Sequence, residues 1–191
     1  GKLNISDVET LDLDTSGGAN TIDLASVTGL KKLEVEGQTQ TIKGLDLGTT
    51  LLSDSAATTF KVTAADATGS ADTLKLEVKV NANLTQTVEA KNIETLSVTL
   101  DDSSDTSTFG LTKFEGTTVN VAQKSTNSGS SNVALGTLHK NVTSVDTSGV
   151  KGTQSFSVAS TLTAATIKLG GGGQATVTGT GKADTFTIGK T

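Results

Sequence analysis

Apolar residues fall along this chain in short alternating bursts. Val8, Leu11 and Leu13 come first, then Ile22 and Leu24, Leu33 and Val35, Ile42, Leu45 and Leu47, and the longer run Leu74, Leu76, Val78 and Val80. The beat returns at Leu96, Val98 and Leu100, at Val119 and Val121, at Phe156 and Val158, at Ile167 and Leu169, and at Phe186 and Ile188. Period-two alternation over a few residues, broken by Gly, Ser, Asn and Asp, predicts short half-buried strands. A helix needs apolar residues at spacings of three and four through several turns, and only Leu135 to Val145 offers that pattern. The chain therefore reads as all-β.

Internal repetition narrows the kind of β protein. Val8-Glu9-Thr10-Leu11-Asp12-Leu13 recurs as Ile93-Glu94-Thr95-Leu96-Ser97-Val98, and Thr68–Leu76 recurs as Thr180–Ile188. Gly170–Thr178 and Gly179–Thr187 align as two nonapeptides with Gly at positions one and three, Thr at seven and nine and an apolar residue at eight. Leu11 and Leu33 stand 22 residues apart with another strand between them. Strands at this interval, two or three per coil, predict a parallel β-helix or β-solenoid in which equivalent positions stack. Some eight coils at about 4.8 Å each make a rod of about 40 Å. A β-sandwich of hairpins is the competing fold, with Leu74–Val80 as a hairpin arm, but no Asn-Gly or Asp-Gly turn is present.

Composition adds a reason for this choice. Thr accounts for 36 of 191 residues, Ser for 19 and Gly for 21, while Pro, Cys, Met, Trp, Tyr and Arg are absent. Thr and Val suit stacked ladders and Gly suits tight corners. Without Cys there is no disulfide framework, thiolate metal site or cysteine nucleophile. A formal charge of -5 without Arg, Trp or Tyr excludes the basic, aromatic surface of a nucleic-acid binder. No apolar run approaches the roughly 18 residues of a membrane-spanning helix. A chain that opens on Gly and lacks Met reads as a processed or excised piece of a longer product.

The segment Gly179–Ile188, G-T-G-K-A-D-T-F-T-I, resembles the glycine- and aspartate-rich nonapeptides of RTX proteins. With Phe60–Leu74, Ile93-Glu94-Thr95-Leu96 and Val145–Val150 preceding it in order, the chain is similar to one repeat unit of the calcium-dependent bacterial surface-layer proteins secreted by type I systems. The resemblance covers about residues 58–189, and residues 1–57 look like the end of a preceding unit, continuous with 58–191 as one elongated domain. It implies a secreted, non-enzymatic, lattice-forming protein at the bacterial cell surface. Its partners would be further copies of itself and, through other regions of the parent, cell-surface polysaccharide, with no nucleic acid and no membrane insertion. A binding module or stalk of an RTX adhesin is the alternative.

The resemblance also implies calcium, which takes six to eight oxygens from carboxylates and carbonyls. Asp184 matches the nonapeptide carboxylate, and Gly179 and Gly181 match the carbonyl donors. The preceding nonapeptide has Ala175 where the Asp belongs, so this box is half a site. Elsewhere, Asp12, Asp14 and Asn20 flank Gly17-Gly18, and Asp101, Asp102 and Asp105 share a Ser-rich loop. Both groups suit either a cation or solvated turns capped by their own carboxylates. Asp66 and Asp72 around Gly69 pose the same choice. Glu9 and Glu94, at one motif position, read as outward or ladder residues. His139, the only histidine, is the only base available to a Ser-His-Asp arrangement, with Asp146 as partner, and no G-x-S-x-G elbow accompanies it. Gly189-Lys190-Thr191 lacks the first glycine of a phosphate loop. Asn4, Asn83 and Asn141 head N-x-(S/T) triplets, which a chain this rich in Ser and Thr produces by chance.

Overall fold

A computed structural model describes residues 2–14, 18–53, 57–79, 83–101, 105–126 and 128–189. Its strands are β1 Lys2–Ile5, β2 Thr10–Leu13, β3 Ala19–Val27, β4 Lys32–Val35, β5 Thr39–Leu45, β6 Thr50–Ser53, β7 Ala57–Ala64, β8 Thr73–Val78 and β9 Leu84–Ala90. There follow β10 Thr95–Leu100, β11 Thr106–Phe114, β12 Thr118–Gln123, β13 Asn132–Thr137, β14 Ser144–Gly149, β15 Gln154–Ser157, β16 Thr166–Leu169, β17 Ala175–Thr178 and β18 Thr185–Ile188. Odd-numbered strands form one nine-stranded sheet and even-numbered strands the other, each in chain order. Every pairing is parallel, so the chain is a two-sheet β-solenoid of about eight turns. The sandwich alternative falls with the pairing of β8, which lies parallel between β6 and β10; Val80, the end of the proposed hairpin arm, lies outside the described residues.

Register follows the sequence repeat. Leu11 stacks on Leu33, as their spacing of 22 predicts. Coil length then varies between 18 residues, from Lys32 to Thr50, and 28, from Thr59 to Thr87. The difference is absorbed at the corners. Both sheets run unbroken past residue 57, since β7 pairs with β5 and β8 with β6. The two nonapeptides prove to be successive half-coils, because β17 lies in one sheet and β18 in the other.

The core is a narrow column between the sheets. Leu74, Leu96, Val119, Val145 and Ile167 occupy one row of inward positions, and Leu33, Leu51, Leu76, Val98 and Val121 the next, all buried. Facing sheets stand about 10 Å apart, and Phe60, Phe109 and Phe114 fill the width where they enter. The segment with helical spacing, Leu135 to Val145, is strand, corner, strand. Leu135, Leu138, Val142 and Val145 all point inward and are buried. The abundant Thr has its place on the outer face: Thr73, Thr95, Thr118, Ser144, Thr166 and Thr185 form a hydroxyl ladder through six consecutive coils.

Candidate functional site

The glycine box closes on itself. Asp184 stands just before β18 and turns its carboxylate back over the corner. There it accepts hydrogen bonds from the Thr180 hydroxyl at 2.7 Å, the Thr180 N–H at 2.7 Å and the Ala165 N–H of the preceding coil at 2.8 Å. These donors, the Thr180 hydroxyl foremost, hold the carboxyl below its usual 3.8 against the opposing effect of burial. Gly179 is required by this closure, since a Cβ there would lie 2.5 Å from Asp184 Oδ2, whereas Gly181 has open space around it. The carboxylate that the resemblance assigns to calcium thus serves as a staple between coils.

The other acidic candidates are dispersed. Asp12 and Asp14 are exposed at the end of β2, with Asn20 bonded to the Gly18 carbonyl at 3.0 Å and Gly17 outside the described residues. Asp101 pairs with Lys124 at 2.6 Å, and Asp102 lies outside the described residues. Asp66 caps Thr68 through its N–H and hydroxyl, the bonds that keep its pKa low. Asp46, Asp66 and Asp72 line one hollow of about 490 Å³ at adjacent corners. Asp46 is engaged with the Gly48 N–H at 2.7 Å, and Asp72 Oδ2 is buried without a hydrogen bond. Among the described residues no three His, Asp or Glu side chains are grouped so as to hold a metal ion.

His139 and Asp146 do not make a catalytic pair. His139, at the corner after β13, accepts the Asn141 N–H through Nδ1 at 3.3 Å. Asp146 accepts from the Ser148 hydroxyl at 2.6 Å and N–H at 3.0 Å, and faces Lys168 at 3.4 Å. Burial pushes the Asp146 carboxyl up, but the Ser148 and Lys168 contacts together hold it below its usual value.

Charge on the outer faces is organised in ladders that sequence reading missed. Glu89 lies between Lys61 at 3.9 Å and Lys113 at 2.8 Å on successive coils of the odd sheet. On the even sheet Lys124 joins Glu77 at 2.8 Å and Asp101 at 2.6 Å, and Glu77 also faces Lys32 at 3.7 Å. The Asp101 and Glu77 contacts hold the Lys124 ammonium well above its ordinary range. The first ladder borders a groove of about 790 Å³ that includes Asp66, Glu115 and His139. Its opposite charges are placed on neighbouring coils, where ion pairs on an exposed surface contribute little individually and more as a network.

Buried glutamines at the corners form a second set that the sequence reading missed. Gln40 donates to the Glu36 carbonyl, Gln123 accepts from the Ser131 N–H and donates to the Gly129 carbonyl, and Gln154 bridges the corner at Gly170. Each satisfies backbone groups that a parallel ladder leaves over where the chain turns. The available signal was an inward-facing Gln beside a strand terminus. Comparison of the chain with protein-family models, curated proteins and solved structures gave no match.

The low pKa values fix an expected pH response. A carboxylate whose folded pKa lies below its unfolded value adds stability that is present above the unfolded value and is lost as pH falls through the folded one. With Asp66, Asp146 and Asp184 all lowered, the melting midpoint should be level between about pH 5 and 8 and fall below about pH 4. Circular dichroism melts across this range check it, and a midpoint that climbs on acidification contradicts it.

Proposed function

We propose that the chain is a structural, non-enzymatic segment of a secreted bacterial surface-layer protein that assembles with copies of itself into a coat on the cell surface. The observation that supports this reading is the stack itself, parallel coils in two sheets around one narrow apolar column, with no recess lined by an aromatic platform among the described residues. The outer faces are hydroxyl ladders and neutralised charge ladders, suited to lasting contact with water and with other copies. Cell-surface polysaccharide belongs to other regions of the parent.

A second reading, the binding module of an RTX adhesin, draws on the 790 Å³ groove beside Lys61, Glu89 and Lys113. That groove has no aromatic platform for a sugar ring, which favours the coat.

Calcium enters this proposal in assembly and not in the isolated coil stack, because the Asp184 oxygens are already occupied by N–H and O–H donors. Adding a chelator should leave the melting midpoint of the chain within about 2 °C, a change worth under about 1 kcal/mol in a chain of this size. The same chelator should abolish ordered arrays. Electron microscopy of the purified protein with calcium tests the function itself: two-dimensional crystals are expected, and persistent monomers that bind glycans would overturn the coat in favour of the adhesin.

A further inference from the structure

Away from the last coil, one large apolar side chain stands exposed among the described residues. It is Leu162, 75% exposed, in the corner 158–165 between β15 and β16. Its coil is enclosed on both sides, since β15 pairs with β13 and β17 and β16 with β14 and β18, so the exposure does not come from an open edge. The corner has eight residues where the one before it, 138–143, has six. It is fixed to that neighbour: the Ser160 hydroxyl donates to the Leu138 carbonyl at 2.8 Å and the Thr161 hydroxyl to the Val142 carbonyl at 2.9 Å. From 152 to 167 no residue carries a charge. Leu162 is thus a preformed apolar knob, and little ordering is needed to bury it.

The same edge of the solenoid holds a hollow of matching character. The groove of about 790 Å³ runs from Thr41 of β5 to His139 after β13, beside the corners that lead from odd strands to even ones, the set to which the Leu162 corner belongs. Ala64, Ala65, Ala67 and Ala90 line it, and their small side chains leave room for a larger apolar one. Its middle lies at the level of β9, three coils or about 14 Å from β15. We propose that this edge is an isologous interface between two copies of the chain with their rods antiparallel, each Leu162 seated among the alanines of the other copy's groove. This rests on the self-assembly reading and names one of its contacts.

A knob and a hole on one edge, offset along the rod, suit a two-fold axis, because a single rotation brings both knobs to both holes. With β9 of one copy level with β15 of the other, the axis passes midway and sets the corner after β11 beside the corner after β13 of the other copy. Those corners carry opposite charge: Glu115 on the first, its side chain 42% exposed, and exposed Lys140 on the second. Each Glu115 therefore meets Lys140 of the other copy, and the axis makes two such pairs. The contact is confined to one edge, short of the roughly 1,600 Å² of a standard interface, which corresponds to a weak dimer with a dissociation constant of about 10–100 μM.

Sedimentation velocity in chelator, where arrays are not expected, reads the association from micromolar to millimolar concentration. The unmodified chain should pass from monomer to dimer and no further, since a two-fold contact closes. Leu162→Asp should weaken the dimer at least about tenfold, because it brings a charge into the apolar seat. Position 162 is exposed in the single chain, so its circular dichroism melt should not change. Glu115→Lys and Lys140→Glu should each weaken the dimer about fivefold, and the two together in one chain should restore it to within about twofold, a rescue that a general loss of stability cannot give. An unmodified chain that stays monomeric at millimolar concentration overturns the proposal. So does a Leu162→Asp chain that dimerises as well as the unmodified one, or association that continues past the dimer. With calcium added, ordered arrays that persist in Leu162→Asp remove this contact and leave the coat reading standing, whereas a Leu162-dependent dimer that never grows into arrays establishes the contact and removes the coat.

Discussion

Replacing Phe109 by Ala is expected to destabilise the chain by about 3–5 kcal/mol, the usual cost of deleting a buried aromatic ring and leaving a cavity. Phe109 sits in β11, near the middle of the odd sheet, and is 1% exposed. Only five phenylalanines serve the whole chain, and Phe109 is one of the three that are fully buried. For a domain of this size the midpoint should drop by roughly 10–15 °C. The form of the melt carries further information. In a solenoid each coil touches only its neighbours, and stability is close to a sum of coil and interface contributions. A defect in a central coil should therefore broaden or split the transition by uncoupling the two ends. Phe186→Ala removes an equal ring from an exposed position and should cost less than about 1 kcal/mol. Calorimetry of the pair checks both statements; equal losses would contradict the assignment of a continuous core that ends at β16.

Gln154→Leu should lower stability by about 3 kcal/mol, although it places an apolar side chain of similar size in a buried position. Gln154 Oε1 accepts the Gly170 N–H at 3.1 Å and the Thr147 hydroxyl at 2.6 Å, while Nε2 donates to the Gly170 carbonyl at 3.2 Å. Leucine strands the Gly170 N–H and carbonyl in the interior, while the Thr147 hydroxyl keeps the Lys168 carbonyl at 3.1 Å, and each buried polar group left unpaired costs about 1–3 kcal/mol. Glycine at 170 is fixed by the same corner, because a Cβ there would collide with the Val150 carbonyl and come within 3.0 Å of Gln154 Nε2. Corner and glutamine are one device. Denaturant titration measures the loss, and a Gln154→Leu chain as stable as the parent would show that apolar filling of the corner suffices.

The coil stack was legible because its strands have a short period and its coils a long one. Leu11 and Leu33 at a spacing of 22, and the paired recurrences of Val8–Leu13 and Thr68–Leu76, lie where a parallel stack puts them. Two local patterns were coincidences of the coil. Leu135, Leu138, Val142 and Val145 mimic a helix because a six-residue corner between two strands spaces its inward residues by three and four. The nonapeptide beat is half a coil, since nine residues cover one strand and one corner. Asp184 shows a different limit: the sequence supplies a carboxylate beside glycines, but only the folded corner brings the Ala165 N–H and Thr180 to it. The corner glutamines were missed for the opposite reason, since Gln reads as a surface residue until the backbone groups it satisfies are in place.

Strands two apart in the chain stack in parallel register from one end of the described residues to the other. Thr10 and Thr187 are exposed and share one outward row, linked through Lys32, Thr50, Lys75, Ser97, Asn120, Asp146 and Lys168. Spin labels on cysteines introduced at these two positions, diluted with unlabelled chain, report their separation by pulsed dipolar spectroscopy. Eight steps of about 4.8 Å predict a single narrow distribution near 38 Å. A distribution centred below about 25 Å, the reach of a folded-back pair of sheets, or one spread over tens of ångströms, would contradict the stacked solenoid.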